Sequence, residues 1–473
     1  MTLPRFTHPL PRSIHFTGIC GRLVGGLALA LKEAGVHVAG SDPVQFPPMP
    51  GMLEAAGIRV STAWSPENLS SNIDAVVTGG QCADDNPELA DALRRGIPIW
   101  NAAAFLEAHL LRQTRNLVVA GTKGKTTTTA MLAWILCRAG KTPVHLIGGQ
   151  MRSADWPLLR LRGGPLAVLE GDEFPCSPDD PLPKLWRYHP ELLVVTNVSH
   201  DHPDIYPTES SYAEVFDHAC RQLPENGRLI VNAEDVGALA LLPPANCSVA
   251  TAGFSRLSTH RITAFTDRNS GCRFRLNGVP FSLPLHGRMN AINAALAACA
   301  AESAGVCLAD SARFLTDFPG VAGRQEVLAV LGRSIVYGDE TSHPVALGPL
   351  VRSLRSRHPG RRIVVLMVPC HTGGRSGLCQ RYLPEALSGA SVVLAFPAFD
   401  PKIPAAGPFD NDRLRRDLRR RGVIARIPAS LPEALSQISG LCKDGDIFLL
   451  ALTPGFPTAR EQILRAISEL VRR

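Results

Sequence analysis

The stretch Leu117–Thr129, LVVAGTKGKTTTT, constrains this chain more than any other. An apolar β-branched run (Leu117, Val118, Val119) passes through a small-residue turn into four consecutive threonines, then into the apolar helical segment Ala130–Cys137. A strand, a glycine loop and a helix start in that order wrap backbone N–H groups and the positive end of a helix dipole around a phosphate. Lys125 offers a point charge to the β- and γ-phosphates, and the Thr126 hydroxyl a ligand for Mg²⁺. The usual motif has a glycine at the position of Val119, so this loop is the shorter G-T-x-G-K-T form. Gly121, Thr122, Lys123, Gly124, Lys125, Thr126 and Thr127 are the candidate nucleotide contacts.

Around this loop the chain alternates strand and helix. SIHFT (Ser13–Thr17) is a strand before the glycine turn Gly18–Gly26, a helix follows from Leu27 to Glu33, and Val36–Ala39 is a second strand ending at Gly40-Ser41-Asp42. A glycine turn, a helix and an acid after the second strand suit a nucleotide diphosphate, although the spacing differs from the dinucleotide fingerprint G-x-G-x-x-G. Asp42 serves such a ligand or caps its own turn. Further strands are expected at Ala75–Thr78, Ile97–Trp100, Leu166–Leu169, Leu192–Val195 and Gly227–Asn232, with short strands over 245–285. The strand at Leu166–Leu169 ends in Glu170-Gly171-Asp172-Glu173, and that at Leu192–Val195 in TNVSHDHPD. Carboxylates beside a phosphate loop suit Mg²⁺, which is held by one or two protein groups and the phosphates. Glu170, Asp172 and Glu173 are such carboxylates, and Asp172 is able to take the role of Glu173. His200-Asp201-His202 lacks the further Cys or His that a zinc centre needs. Asn290 opens an Ala-rich helix as its N-cap or as a base contact. After the glycine-rich connector Phe318–Arg324 come strands at Ser334–Tyr337, Ile363–Val368, Val392–Phe396 and Ile447–Leu452. Helices are expected near 345–355, 380–388, 411–421, 431–439 and 457–471.

The 473 residues suffice for several domains, and 45% hydrophobic with 19% charged residues describes a globular protein. The net charge of +7 is spread along the chain without a basic block interleaved with aromatics, which argues against nucleic acid. The 12 cysteines form no C-x-x-C pair and read as small buried hydrophobes of a reducing compartment. No run of about 18 apolar residues is present and the N-terminus lacks an apolar signal core. The expectation is a cytoplasmic α/β protein of three tandem units, a monomer or weak homodimer, without membrane contact. Two phosphate-binding turns and the polar segment GDETSHP (Gly338–Pro344) suit a reaction with three ligands better than a hydrolase, which needs one. A dehydrogenase would leave Lys125 and Thr126 without purpose.

These segments resemble the Mur ligases, ATP-dependent amide-forming enzymes of peptidoglycan synthesis. AGTKGKTTTT is similar to their G-T-[HK]-G-K-T loop, and LEGDE to their strand-end acidic motif. TNVSHDHPDIY is similar to T-N-x-x-x-D-H-x-D, GRMNAINAALAA to G-x-H-N-x-x-N-A-x-A-A, and GDETSHP to D-D-[YF]-A-H-H-P. IHFTGICGRLVGGLA and the later GSDPVQFPPM resemble I-H-I-x-G-I-C-G-T-x-M-G-G-L-A and G-S-D-x-x-x-Y-P-P-M of the murein peptide ligase branch. The resemblance implies a Rossmann-like UDP-sugar domain over 1–115, a central P-loop ATP domain over 116–318 and a C-terminal Rossmann-like amine-binding domain over 319–473. It implies ATP and Mg²⁺, with UDP-N-acetylmuramate joined through an acyl phosphate to the amine of a peptide; L-alanine as acceptor, or a nucleotide-binding paralogue without turnover, are the alternatives. Residue by residue, Lys125 would hold the transferring phosphoryl group, Thr126 one Mg²⁺, and Glu173 and His202 a second. Asn290 would face adenine; Arg324, Asp339 and His343 would reach the nucleotide from the third domain; Gly18, Gly21 and Asp42 would meet the UDP-sugar. The chain departs from the patterns at Met289, Gly338, Glu340 and Ser342, and VPCHTGGR around Cys370 replaces E-P-R-S-N-T-M-K.

Overall fold

The computed structural model describes residues 9–472 except 46, 81, 83, 84, 154, 162, 242, 244–246, 269, 369–378, 397–408 and 453–456. Three sheets follow one another along the chain. The first holds β1 (Ser13–Thr17), β2 (His37–Ser41), β3 (Arg59–Ser61), β4 (Ala75–Thr78) and β5 (Ile99–Asn101), all parallel, in the order β3-β2-β1-β4-β5. The order reverses between β1 and β4, which opens a crevice at their carboxyl ends. The turn Gly18–Gly21 lies there, directly before α1 (Arg22–Glu33). Helices α2 (Met49–Ala55), α3 (Pro87–Arg94) and α4 (Ala102–His109) complete this unit.

The second sheet is built on β6 (Arg115–Ala120), β7 (Val144–Leu146), β8 (Leu159–Arg160) and β9 (Leu166–Glu170); β10 (Pro175–Ser177) and β11 (Asp180–Pro183) form a separate hairpin. It continues through β12 (Leu192–Val195), β13 (Arg228–Asn232), β14 (Ser248–Gly253), β15 (His260–Arg268), β16 (Gly271–Leu276) and β17 (Val279–Leu283). The order is β17-β16-β15-β14-β13-β12-β6-β9-β7-β8. Val118, Val119, Leu193 and Val194 are fully buried, as expected of central parallel strands covered on both faces. In register, Val119 lies beside Glu170 and Ala120 beside Val195. The loops after β6, β9 and β12 therefore leave the sheet side by side at one edge, and those loops carry the phosphate motif, the acids and the TNVSHDH segment.

Helix α5 runs Lys125–Arg138, so all four threonines of the loop are helical and the segment expected from Ala130 starts a turn and a half earlier. β-Branched side chains lose rotamer freedom in a helix, but here they are at most 7% exposed, packed against β9 and α8 (Arg288–Ser303). Tertiary burial outweighs propensity. Helix α1 likewise starts at Arg22 rather than Leu27. Helix α6 (Glu209–Arg221), unexpected from sequence, begins with a capping box whose N3 partner is Ser211, not the Glu or Gln that signals one. Helices α7 (Val236–Leu239) and α9 (Leu308–Leu315) complete the second unit.

The third sheet has β18 (Glu326–Leu331), β19 (Ser334–Asp339), β20 (Ile363–Met367), β21 (Val392–Ala395), β22 (Ile424–Arg426) and β23 (Ile447–Ala451), ordered β18-β19-β23-β20-β21-β22. Helix α10 (Pro344–Arg357) follows β19, and the helix expected over 380–388 shortens to Leu383–Ala386. VPCHTGGR, with Cys370, lies outside the described residues apart from Val368. One apolar cluster contains Ile14 and Leu27 of the first unit together with Val118 and Leu193 of the second, whereas the third sheet keeps its own clusters on its two faces. The first two units thus behave as one body. The third is tied to it through the connector: Arg152 donates to the carbonyls of Val321 and Arg324, and the Ala322 N–H to Gln150 O. The described cysteines form no disulfide with one another and are mostly buried. Among the described residues no helix is long and apolar enough to cross a membrane.

Candidate active site

A cleft of about 370 Å³ lies where the three units meet. Thr122–Thr127, Glu173, His202, Asn290, Arg324 and Asp339 all line it, so the structure brings together most of the residues singled out from sequence. Gly121 underlies them. Its φ of +127° and a position where a Cβ would overlap Thr196 Oγ1 leave room only for glycine. The loop is braced from outside the cleft. The Thr122 N–H donates to Asn197 O and the Lys123 N–H to Asn197 Oδ1, both at 2.9 Å, while the Thr122 hydroxyl turns away to Ser199 O. Two loop amides are thereby committed to Asn197. The amides open to an anion are those at the start of α5, which have no carbonyl one turn back.

Lys125 Nζ donates to Gly121 O at 2.6 Å and to Glu173 Oε2 at 2.7 Å. Burial pushes its pKa down, but the carboxylates, Glu173 first, more than compensate and it rises. The Thr126 hydroxyl donates to Glu170 Oε1 at 2.8 Å, and Glu170 Oε2 accepts the Gly148 N–H; burial raises the Glu170 carboxyl. Asp172, the alternative to Glu173, is instead engaged by Lys184 at 2.7 Å. His202 Nε2 is 3.8 Å from Glu173 Oε1, its ring edge-on to Phe174. Lys123 is held by Asp201 at 2.9 Å, and that ion pair, against the effect of burial, holds the Asp201 carboxyl well below its usual range.

Asn290 sits at the third position of α8, whose N-cap is Gly287. The capping reading of Asn290 is therefore excluded; its amide donates to His286 O and accepts from Asn293. Arg324 Nη1 pairs with Glu340 Oε2 at 2.9 Å, and Asp339 Oδ2 accepts the Gln325 N–H. Burial lifts the Asp339 carboxyl to about 6 although Arg324 works against it. His343 is the exception among the nucleotide candidates. It caps α10, its ring faces His200 O at 3.3 Å, and it lines a neighbouring cavity of about 410 Å³ rather than the phosphate cleft. Burial, then Lys123, lowers its pKa to about 4.

Gly18 and Gly21 shape the turn at the crevice of the first sheet. The Gly18 N–H donates to Ser41 O, and Gly21 is the N-cap of α1. Asp42 spends its two oxygens on the Cys20 and Val44 N–H groups, so it closes its own turn. Gly18, Gly21 and Asp42 do not line the phosphate cleft, but Arg22, directly after Gly21, does. Arg22 donates to Gly148 O at 2.9 Å and to Glu340 Oε2 at 3.1 Å. Sequence reading gave no individual role to Arg22, Glu170 or Asn197. The available signals were an arginine where the resembled pattern reads threonine, and the first acid and the asparagine within motifs already marked.

A cleft around a glycine-loop helix start, walled by three α/β units, has the architecture of a multi-domain enzyme of the phosphate-loop class. Residues 13–114 match the model described as Mur ligase family, catalytic domain, and residues 119–301 that of the Mur ligase middle domain. The UDP-N-acetylmuramate–L-alanyl-γ-D-glutamyl-meso-2,6-diaminoheptandioate ligase of Escherichia coli (strain K12) is 31% identical over 395 residues, 82% of this chain and 86% of that protein. The UDP-N-acetylmuramate–L-alanine ligase of Halorhodospira halophila is 32% identical over 468 residues, 94% and 93% of the two chains. Among solved structures, a murein peptide ligase from Psychrobacter arcticus superposes with a TM-score of 0.71 over 97% of this chain and 99% of that one, at 23% identity, a likeness of fold. The chain belongs to the Mur ligase family. Its members are ATP-dependent ligases that form amide bonds.

Proposed function

We propose that this ligase joins the carboxylate of UDP-N-acetylmuramate to the amine of a peptide, as in recycling of murein tripeptide, in the cytoplasm and as a monomer or weak homodimer. Residues 1–115 would hold the UDP-sugar, 116–318 ATP, and 319–473 the amine. The observation that carries this reading is the convergence of cationic groups from all three units, Arg22, Lys125 and Arg324, on one cleft. Both relatives described above are UDP-N-acetylmuramate ligases, which favours UDP-N-acetylmuramate as the carboxylate donor.

The chemistry is phosphorylation followed by aminolysis. A carboxylate oxygen bonds to Pγ as the bridging oxygen leaves with ADP; the amine then adds to the acyl carbon, loses a proton, and phosphate departs. The demand on the protein is to hold two anions together and neutralise them. Lys125 would exchange Glu173 for the transferring phosphoryl group, Asn290 would face the base, and Arg324 and Asp339 would complete the nucleotide site when the third domain closes. Gly18 and Gly21 would cradle the diphosphate of the UDP-sugar. Mg²⁺ fits the donor set. The cleft is lined by Glu170, Asp172, Glu173, Asp339 and Glu340 against Arg22, Lys123, Lys125 and Arg324, so a triphosphate entering without a cation would meet a carboxylate-rich wall. Thr126 would hold one ion and Glu173 with His202 a second, supplying charge neutralisation of the phosphates.

L-Alanine as acceptor is the second reading, favoured by the 32% identity over 94% of the chain to a UDP-N-acetylmuramate–L-alanine ligase. Phosphate release, measured with ATP, Mg²⁺ and UDP-N-acetylmuramate against L-alanine, tripeptide and tetrapeptide, separates the readings. Release that requires both the UDP-sugar and a peptide supports the first. Release with L-alanine alone selects the second. ATP binding without release under any combination rejects both in favour of a paralogue without turnover.

A further inference from the structure

Arg22 belongs to the helix that follows the UDP-sugar turn, yet its guanidinium points into the nucleotide cleft. Nη1 is held by Gly148 O and Nη2 by Glu340 Oε2. The Gly148 N–H binds Glu170, which accepts the Thr126 hydroxyl. A continuous hydrogen-bonded path thus joins Arg22 to the start of the phosphate-loop helix. Glu340 Oε2 also accepts Arg324 Nη1. Two guanidinium groups thus share one carboxylate oxygen. The two partners ride on different bodies. Arg22 is fixed relative to the phosphate loop by the core that the first two units share, while Glu340 follows directly on β19 of the third sheet. The resembled patterns read threonine at position 22 and an aromatic at position 340, so the pair is a feature of this chain.

We propose that Arg22 is a substrate-contacting residue of this ligase: on nucleotide binding its guanidinium exchanges Glu340 for the γ-phosphate, and it stays on those oxygens while the phosphoryl group passes to the carboxylate. Glu340 is the placeholder that an incoming anion displaces. The inference rests on the ligase reading for the transfer step, and on the cleft geometry alone for the γ-phosphate contact. An arginine forks two donors onto adjacent oxygens, which suits a phosphoryl group better than a lysine does.

The test uses the full chain with Arg22→Ala, Arg22→Lys and Glu340→Gln, each checked for an unchanged melting profile. Calorimetry with ATP and with ADP reads the γ-phosphate contact. Arg22→Ala should lose about tenfold of the preference for ATP over ADP, the worth of one charged hydrogen bond. Glu340→Gln should bind ATP several-fold more tightly because a competitor is gone. In phosphate release, Arg22→Ala should lose kcat by on the order of a hundredfold, as when one transition-state donor is removed. Arg22→Lys should recover part of it, and added methylguanidinium should restore activity to the alanine variant. An unchanged ATP-to-ADP preference overturns the inference, as does a loss of ATP affinity in Glu340→Gln equal to that in Arg22→Ala, which would make the pair a mere interdomain tie. If the unmodified protein releases no phosphate with any acceptor, the ligase reading falls, while the binding ratios still decide the γ-phosphate contact.

Discussion

Replacement of Lys125 by methionine tests whether the phosphate loop is held, before nucleotide arrives, by its own ion pair. Lys125 Nζ lies 2.7 Å from Glu173 Oε2, with the side chains 13% and 3% exposed. At an effective dielectric of about 20, two unit charges at that distance attract by roughly 6 kcal/mol. Desolvation cancels much of this, but removing one member strands the other, at about 3–5 kcal/mol. Water in the cleft moderates the penalty, so we expect about 3 kcal/mol for Lys125→Met, a fall of about 6–12 °C in the melting of a unit of roughly 200 residues. Adding Glu173→Gln removes the stranded charge. The double variant should regain at least about half of the loss, a coupling of about 1.5 kcal/mol that only contacting groups show. The assay is thermal melting of nucleotide-free protein for the two single variants and the double, alongside phosphate release, which all three should lack. If Lys125→Met and the double variant melt within about 1 °C of each other, the ion pair is not what holds the loop.

Three further outcomes follow from the geometry. Gly121→Ala places a Cβ against Thr196 Oγ1 and the Asn197 backbone at a φ of +127°; it should cost about 2–3 kcal/mol and abolish ATP binding, and near-normal nucleotide affinity by calorimetry would contradict it. Asp339 has its folded carboxyl raised by burial to about 6 from 3.8, so its contribution is full below pH about 4 and is lost as pH rises through 6, on the order of 3 kcal/mol. Melting of the nucleotide-free protein at pH 5, 6 and 7 should show the last part of that loss, about 1.3 kcal/mol, in the wild type but not in Asp339→Asn; parallel profiles would refute it. Glu88, fully buried, accepts hydrogen bonds from Thr17 and Ser41, at the strand ends that frame the glycine turn, and from Asn68. Burial raises its carboxyl, but His15 and the bonds from Ser41 and Asn68 bring it to about 2. Glu88→Gln should lower stability by about 2–4 kcal/mol and raise KM for the UDP-sugar more than it changes kcat; unchanged melting and KM would count against the network.

The local patterns were legible wherever one segment suffices. The apolar runs of β6, β9, β12 and β20, the glycine turns and the Ala-rich α8 follow from hydrophobic periodicity and backbone sterics alone, which act over a few residues. Boundaries were less legible because burial, not propensity, makes Thr126–Thr129 helical, and because the cap of α6 uses Ser211 where Glu or Gln is the usual signal. The side of the fold on which His343 faces was not legible either, since a strand-end motif does not say which cavity its last residue closes.

What the chain determined by itself was the inventory: a phosphate loop, strand-end acids, a second glycine turn and three α/β units in tandem. Tertiary structure decided which members of that inventory meet. Parallel pairing of β6 with β9 and β12 carries Lys125, Glu173 and His202 to one edge, and Asp42 turns inward to close its own loop. Arg22, more than a hundred residues from Gly148 and three hundred from Glu340, becomes a wall of the cleft around the phosphate loop. Such contacts depend on register and on the packing of one sheet unit against another, and interactions across that sequence separation leave no local periodicity to read.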